Sequence, residues 1–278
     1  MFFFIFVPII LWTTSLFLEI AVNRTPLPEN LFSDVNGTPV LLDREGKIIA
    51  QISSNEARVQ MPVPITKMGQ HLPKITIALE DHRYKFHNGI DFYAVFAAAY
   101  RTLTHADHLS GASTISQQTV KLANKRKGRS LKSKIRETLS ALKLERVWDK
   151  EKILESYMNR LDYGNRRLGP EAAAWAYFGK SASSLTLAES IFIAGLPHSP
   201  TNYNPWLRPE NANSKYLRSI KRLQSLDILT TAQSERLATN PPLVHRKLPP
   251  SSAPAFVEAM LKNYKTIPKN EPIQTTLD

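Results

Sequence analysis

From Phe2 to Val22 the chain is apolar, with only Thr13, Thr14, Ser15 and Glu19 as polar interruptions. About 20 such residues, rising 1.5 Å each as a helix, match the hydrocarbon thickness of a bilayer. Residues 1–22 therefore read as a transmembrane anchor, and whatever follows must fold beside a membrane. The alternative, a cleaved signal peptide, needs an apolar core of roughly 7–15 residues and a small-x-small cleavage site. This run is longer, and no such site follows convincingly. No Lys or Arg precedes the span and Arg24 lies just after it, so the positive-inside rule does not orient it.

A chain of 278 residues, 42% apolar, has enough sequence past that segment for one sizeable domain or two small lobes. The absence of cysteine removes disulfide frameworks, thiolate metal sites and cysteine nucleophiles. The formal charge of +12 predicts attraction to an anion: nucleic acid, acidic phospholipid or a pyrophosphate. Its distribution says more. From Lys121 to Arg136 the chain carries Lys125, Arg126, Lys127, Arg129, Lys132 and Lys134 and no carboxylate, which makes either a solvated basic helix face or an anion site.

Thr25 to Asn36 is rich in Pro and polar residues and reads as a juxtamembrane linker. Pro39–Leu42 and Lys47–Ala50 flank Asp43-Arg44-Glu45-Gly46 as the arms of a small β-hairpin, so 23–60 is assigned to linker and hairpin. Pro62 to Pro73 looks irregular. From Ile75 onward the periodicity is helical, and 61–240 is expected to be one mainly α domain. Within it Asp149 is placed to cap a helix burying Ile153, Leu154, Tyr157 and Met158. Thr186 with Glu189 forms a capping box ahead of a helix that Pro197 ends. Pro241, Pro242, Pro249, Pro250 and Pro254 make 241–278 a Pro-rich linker with a short C-terminal segment.

Polar clusters between positions 80 and 160 are unusual for a plain helical domain. Glu80-Asp81, followed by His87 and Gly89, can set one acid in a cleft while its neighbour fixes the loop, or can be an ordinary helix-end pair. The uncharged run Gly111-Ala112-Ser113-Thr114-Ile115-Ser116-Gln117-Gln118 suits sugar or phosphate oxygens at a helix start, or a helix capped by Ser113 or Thr114. Lys134-x-x-Glu137 and Ile153-Leu154-Glu155-x-Tyr157-x-Asn159 follow.

In this order the clusters resemble the motifs of glycosyltransferase family 51, the transglycosylase module of class A penicillin-binding proteins and of monofunctional peptidoglycan polymerases. Tyr177-Phe178-Gly179-Lys180 and Gly195-Leu196-Pro197-His198-Ser199-Pro200 are similar to its later part, with a flavour of the 1C type. The resemblance covers roughly 75–240. It implies a lysozyme-like, two-lobed helical domain of head and membrane-contacting jaw, the jaw beginning in the apolar stretch Phe92 to Leu103, which otherwise reads as a buried core helix. It also implies polymerisation of lipid II into β-1,4 glycan strands, with inversion and release of lipid pyrophosphate. By motif position Glu80 is the base that deprotonates the acceptor hydroxyl. Lys121, Arg129 and Lys134 are similar to the family's phosphate-contacting residues. Glu137 matches its second essential carboxylate, which holds a divalent ion, Mg or Mn, or orders the pyrophosphate site. Asp81, His87, Ser113, Thr114, Gln117, Gln118, Arg136, Tyr157 and Asn159 are carried over as substrate-binding residues.

Partners implied in the same way are lipid II, the growing glycan, the membrane and other cell-wall synthesis proteins, with no nucleic acid. The expected location is a bacterial cytoplasmic membrane, single-pass, with the catalytic domain outside. Tyr84 stands where the family has phenylalanine, Ser133 where it has arginine, and Leu122 where it has asparagine. Ser140-Ala141-Leu142-Lys143 fits the Ser-x-x-Lys of a transpeptidase, but no Lys-Thr-Gly occurs, so no penicillin binding is expected. Ile273 to Asp278 resembles the segment leading into such a domain, consistent with a shortened bifunctional protein. Two rival readings stand beside this one. A lysozyme-like lytic enzyme would leave the basic cluster without use, and a membrane-anchored binder of an anionic polymer would leave Glu80, Gln117 and Glu137 unexplained.

Overall fold

The structure is a computed structural model that describes residues 2–33, 35, 37–38, 40–45, 48–51, 58–105, 113–124, 130–245, 253–263 and 273–277. Along the chain run the helix α1 (Phe2–Arg24), the strands β1 (Val40–Leu42), β2 (Ile48–Gln51) and β3 (Val59–Gln60), and the helices α2 (Leu72–Glu80), α3 (Phe92–His105), α4 (Ile115–Ala123), α5 (Leu131–Val147) and α6 (Lys150–Arg160). After strand β4 (Arg167–Leu168) come α7 (Pro170–Phe178), α8 (Leu187–Gly195), α9 (Pro209–Ser225), α10 (Thr231–Thr239) and α11 (Pro254–Asn263), and then strand β5 (Ile273–Gln274). The protein is mainly α, as its periodicity predicts. Two compact units divide the chain: residues 1–34 with 80–157, and residues 35–79 with 158–278.

In the first unit, α1 occupies the expected apolar segment and so meets the helical half of that expectation. Among the described residues no helix is long and apolar enough to cross a membrane. The C-terminal end of α1 lies on α5. Arg146 makes a two-pronged pair with Glu19 at 2.8 Å on each side, and Lys143 Nζ donates to the Asn23 and Thr25 carbonyls at 2.9 Å each. A lysine there answers the carbonyls that a helix leaves unpaired at its end. The stretch that follows, read as a juxtamembrane linker, docks on this unit: Leu31 is buried, Asn30 donates to the Ala123 carbonyl at 3.1 Å, and Phe32 meets Trp148 edge-on. Asp149 caps α6, accepting from the Lys152 N–H at 2.7 Å, and Ile153, Leu154 and Tyr157 are buried as expected.

α3 departs from its reading as a buried core helix. Phe92, Tyr93, Val95, Phe96 and Tyr100 are all exposed, and Ala98 is buried. A contiguous exposed patch of this kind marks a surface built to meet something apolar.

In the second unit, β1 and β2 pair antiparallel, Leu41 facing Ala50, around a turn in which the Glu45 N–H donates to Asp43 Oδ1 at 2.9 Å. This is the expected hairpin, with Pro39, Gly46 and Lys47 outside the described residues. β5 then joins β1 in parallel, Leu41 opposite Ile273, and Phe256, Val257 and Met260 of α11 pack on the small core of Leu41, Ile49 and Ile273. The expected irregular stretch 62–73 contains a 3₁₀ turn at Ile65–Lys67 and the start of α2. Pro73 does not prevent that start, because a proline in the first helical turn lacks only an N–H that would have no helical partner. The expected capping box of α8 forms between Thr186 and Glu189, and the helix tightens to 3₁₀ geometry at Pro197.

Candidate active site

Helix α2 ends on Glu80, and the loop after it is fixed by its own polar groups. Asp81 is buried; its Oδ2 accepts from the Ile115 N–H at 2.9 Å, and its carboxylate meets His87 Nε2 at 3.0 and 3.1 Å. The Gly89 N–H donates to His87 Nδ1 at 3.3 Å, which assigns the imidazole hydrogen to Nε2, facing Asp81. Gly89 sits at φ +98°, and a Cβ there would stand 2.9 Å from the Ala141 carbonyl. Only glycine adopts that conformation freely and lets loop backbone approach α5 so closely. The Gly89 carbonyl accepts from Thr114 Oγ1 at 2.7 Å, tying the loop to the start of α4.

Thr114 and Gln117 form a capping box at that start: the Gln117 amide oxygen accepts from the Thr114 N–H at 3.1 Å, and its Nε2 donates to Thr138 Oγ1 at 3.1 Å. These two residues thus spend their polar atoms on the α4 terminus, the Gly89 carbonyl and α5. Gln118, one position on, faces elsewhere. Its Nε2 donates to Glu80 Oε2 at 3.4 Å, and its Oε1 accepts from the Tyr157 hydroxyl at 3.0 Å. Tyr157 is buried, so it orients the amide with its NH₂ toward Glu80. The half-buried Glu80 receives that one hydrogen bond among the described residues and keeps acceptor capacity for another group.

A second group lies on the first turns of α5. Lys134 Nζ donates to Ser113 Oγ at 3.1 Å and to Glu137 Oε1 at 2.5 Å. Glu137 is the more enclosed partner, with 14% of its side chain exposed against 46% for Lys134. Lys121 and Arg136 are exposed. Gly111, Ala112, Lys125, Arg126, Lys127 and Arg129 lie outside the described residues. No group of three His, Asp or Glu that would cage a metal occurs among the described residues. Glu137 fits a divalent cation only in the manner usual for Mg²⁺, one carboxylate completed by substrate phosphate oxygens and water.

Asn159 belongs to the second unit. Its Oδ1 accepts from the Val63 N–H at 3.2 Å and its Nδ2 donates to the Val63 carbonyl at 2.9 Å, so its amide clamps backbone. Tyr84, where the family has phenylalanine, is buried, and its hydroxyl donates to the Lys150 carbonyl at 2.8 Å. Burial first, then the carboxylates of Glu145, Asp81 and Asp149, push this phenol far above its ordinary range, so it remains a neutral donor. Motif reading quoted Ser116 within its run without giving it a role, and passed over Thr138, Glu145 and Lys150, which brace the site. The available signal was an acid and a base, Glu145 and Lys150, on either side of the Trp148-Asp149 helix break.

A family model described as Transglycosylase matches residues 45–224. Penicillin-binding protein 1A of Aquifex aeolicus is 35% identical over 222 residues, 80% of this chain and 30% of the relative. That of Vibrio cholerae is 34% identical over 84% of this chain and 28% of the relative, and that of Escherichia coli 34% over 70% and 23%. The chain thus spans less than a third of the length of these relatives. Among solved structures, that of penicillin-binding protein 1A from Haemophilus influenzae covers 83% of this chain and 24% of its own, at 19% identity and a TM-score of 0.45.

Proposed function

Because the chain belongs to the transglycosylase family, we propose that it polymerises lipid II, a lipid-linked disaccharide, into β-1,4 glycan with inversion and release of lipid pyrophosphate. The observation that carries the proposal is the line Tyr157–Gln118–Glu80 in the same unit as the Ser113–Lys134–Glu137 group. It supplies a base with free acceptor capacity and, with Lys134, a cation for an anionic leaving group.

A sugar hydroxyl is a weak nucleophile at neutral pH. Glu80 accepts its proton as the oxygen attacks the anomeric carbon, and the bond to phosphate breaks with its electron pair passing to the pyrophosphate. The Gln118 amide keeps the carboxylate turned to the acceptor. Charge growing on the leaving group needs fixed cations more than a proton, and Lys134 and Lys121 provide them, with Glu137 holding the Lys134 ammonium in place. A Mg²⁺ or Mn²⁺ held by Glu137 and the substrate would add neutralising charge at the pyrophosphate. One displacement inverts the donor, with Glu80 as the base and Glu137 as the second carboxylate of this reading.

The membrane belongs to the same proposal. The α1 helix exposes Trp12, Leu16, Phe17 and Ile20, and α3 exposes its aromatic face, so lipid would cover surface that water otherwise wets. In this reading α1 is a single-pass anchor, α3 is part of the jaw of a lysozyme-like, two-lobed domain, and catalysis takes place on the outer face of a bacterial cytoplasmic membrane.

The test is polymer formation from lipid-linked disaccharide pentapeptide by detergent-solubilised protein, with a divalent ion, resolved on gels. Glu80→Gln is expected to slow polymerisation by about 10²–10⁴-fold with its melting temperature unchanged, and Glu137→Gln to leave no polymer. A Glu80→Gln variant of full activity removes the assignment.

A further inference from the structure

The turn from α5 into α6 holds an ion pair that the proposed chemistry does not use. Glu145 has 5% of its side chain exposed and Lys150 has 27%, with Nζ 2.7 Å from Oε1. A pair so enclosed adds little net stability, because desolvating both ions offsets their attraction. Its contacts suggest another use. The Glu145 carboxylate accepts from Ser116 Oγ in the first turn of α4, two residues before Gln118. Lys150 Nζ donates to the His87 carbonyl at 2.6 Å, and His87 holds Asp81, the neighbour of Glu80. The ammonium also rests over the Tyr84 ring, 4.3 Å from its centre. One ion pair thus grips both the helical turn that offers Gln118 and the loop that begins at Glu80.

We infer that Glu145 and Lys150 are positioning residues for the glycosyl transfer, acting through Ser116 and His87 to fix the Gln118 amide against the Glu80 carboxylate. This rests on the reading of Glu80 as the base. Neither residue bonds to Glu80 or Gln118 among the described residues, so their effect is on geometry. A misplacement on the order of 1 Å at a catalytic group costs up to about 100-fold in rate, and a buried charged network keeps polar atoms in one arrangement more firmly than apolar packing does.

Steady-state polymerisation and melting curves of the full chain in detergent test this for the wild type, Ser116→Ala, Lys150→Ala, the double variant and Lys150→Arg. Each single alanine variant is expected to lower kcat by about tenfold or more, with KM within about twofold. The double variant is expected to be no slower than the slower single one, since both cuts sever one network. Lys150→Arg should recover most of the loss, because a guanidinium spans the same two acceptors. Ser116→Ala removes one hydroxyl from a helix that tolerates alanine, so its kcat decides the matter even where Lys150→Ala unfolds. An unchanged kcat in Ser116→Ala, or losses that multiply in the double variant, overturns the inference while wild-type polymer leaves the reading of Glu80 standing. No polymer from the wild type overturns both.

Discussion

The two units of the chain are held together by different means. In the second, α7 buries Ala172, Ala173, Ala174, Ala176 and Tyr177, and α8 buries a continuous run from Ser190 to Gly195. Rings close the gaps: Phe178 meets Phe192 edge-on at 6.1 Å, and Phe192 lies 6.1 Å from Tyr216. Gly195 lets α8 and α9 approach so nearly that a Cβ would stand 3.2 Å from the Lys215 side chain. The first unit also buries an apolar core, with Ile115, Val120, Leu144 and Ile153 within it, and adds polar links between its helices. Gln117 reaches Thr138, Ser116 reaches Glu145 and Lys134 reaches Ser113, all between α4 and its surroundings, while α3 leaves its aromatic face outside the packing. Apolar contact is strong but non-directional. Directional bonds contribute less each, about 1 kcal/mol net, but fix where a carboxylate or an ammonium stands. The proposed chemistry draws on the unit whose cross-helix bonds give direction as well as packing.

That contrast breaks if core and site substitutions act alike. Ile193→Ala, at a fully buried position of α8, is expected to cost about 2–5 kcal/mol of stability, as large-to-small core changes do. Denaturant unfolding measures it, and polymer formed per folded molecule should match the wild type. Gln118→Ala is expected to do the reverse. Losing its bonds to Glu80 and Tyr157 should slow polymerisation by about 10–100-fold, equivalent to about 1.4–2.8 kcal/mol of barrier, while stability falls by no more than about 1.5 kcal/mol. A Gln118→Ala protein that melts early but polymerises normally would erase the distinction between the units.

How far the sequence reaches follows the same division. Local signals were legible: the β1–β2 hairpin from its Asp43–Gly46 turn, the Asp149 cap, the Thr186–Glu189 box and the burial of Ile153 and Tyr157. Each is written within a few residues of where it acts. The parallel pairing of β1 with β5 was not, because strands of two or three residues carry no alternation to read, and Leu41 meets Ile273 only through the fold. Within the site, motif order singled out Glu80, Gln118, Lys134 and Glu137, whose side chains do converge in pairs. It grouped Gln117 and Asn159 with them although their amides serve a helix cap and the Val63 backbone, since residue type and spacing do not distinguish a donor turned outward from one already engaged. Glu145 and Lys150 escaped because the helix break between them interrupts the period on which such reading depends.

The smallest effect sharpens the comparison from the packed side, where a charged pair stands at the start of α8. Burial would raise the Glu189 carboxyl, but the Lys180 ammonium, 2.7 Å away, and the Thr186 N–H and hydroxyl outweigh it and hold the group below its ordinary value. A carboxyl lowered on folding contributes stability that is present above its unfolded value, 4.5, and is lost as pH falls through the folded one. Glu189→Gln preserves an acceptor for Thr186 and loses the charge. Its cost should be about 1 kcal/mol or less at pH 7, shrinking toward zero as both proteins are unfolded at successively lower pH below 4.5. Polymerisation at pH 7 should not change. An equal cost at every pH would mean that the cap is held by shape alone, and that this charged pair of the packed unit owes nothing to its charge.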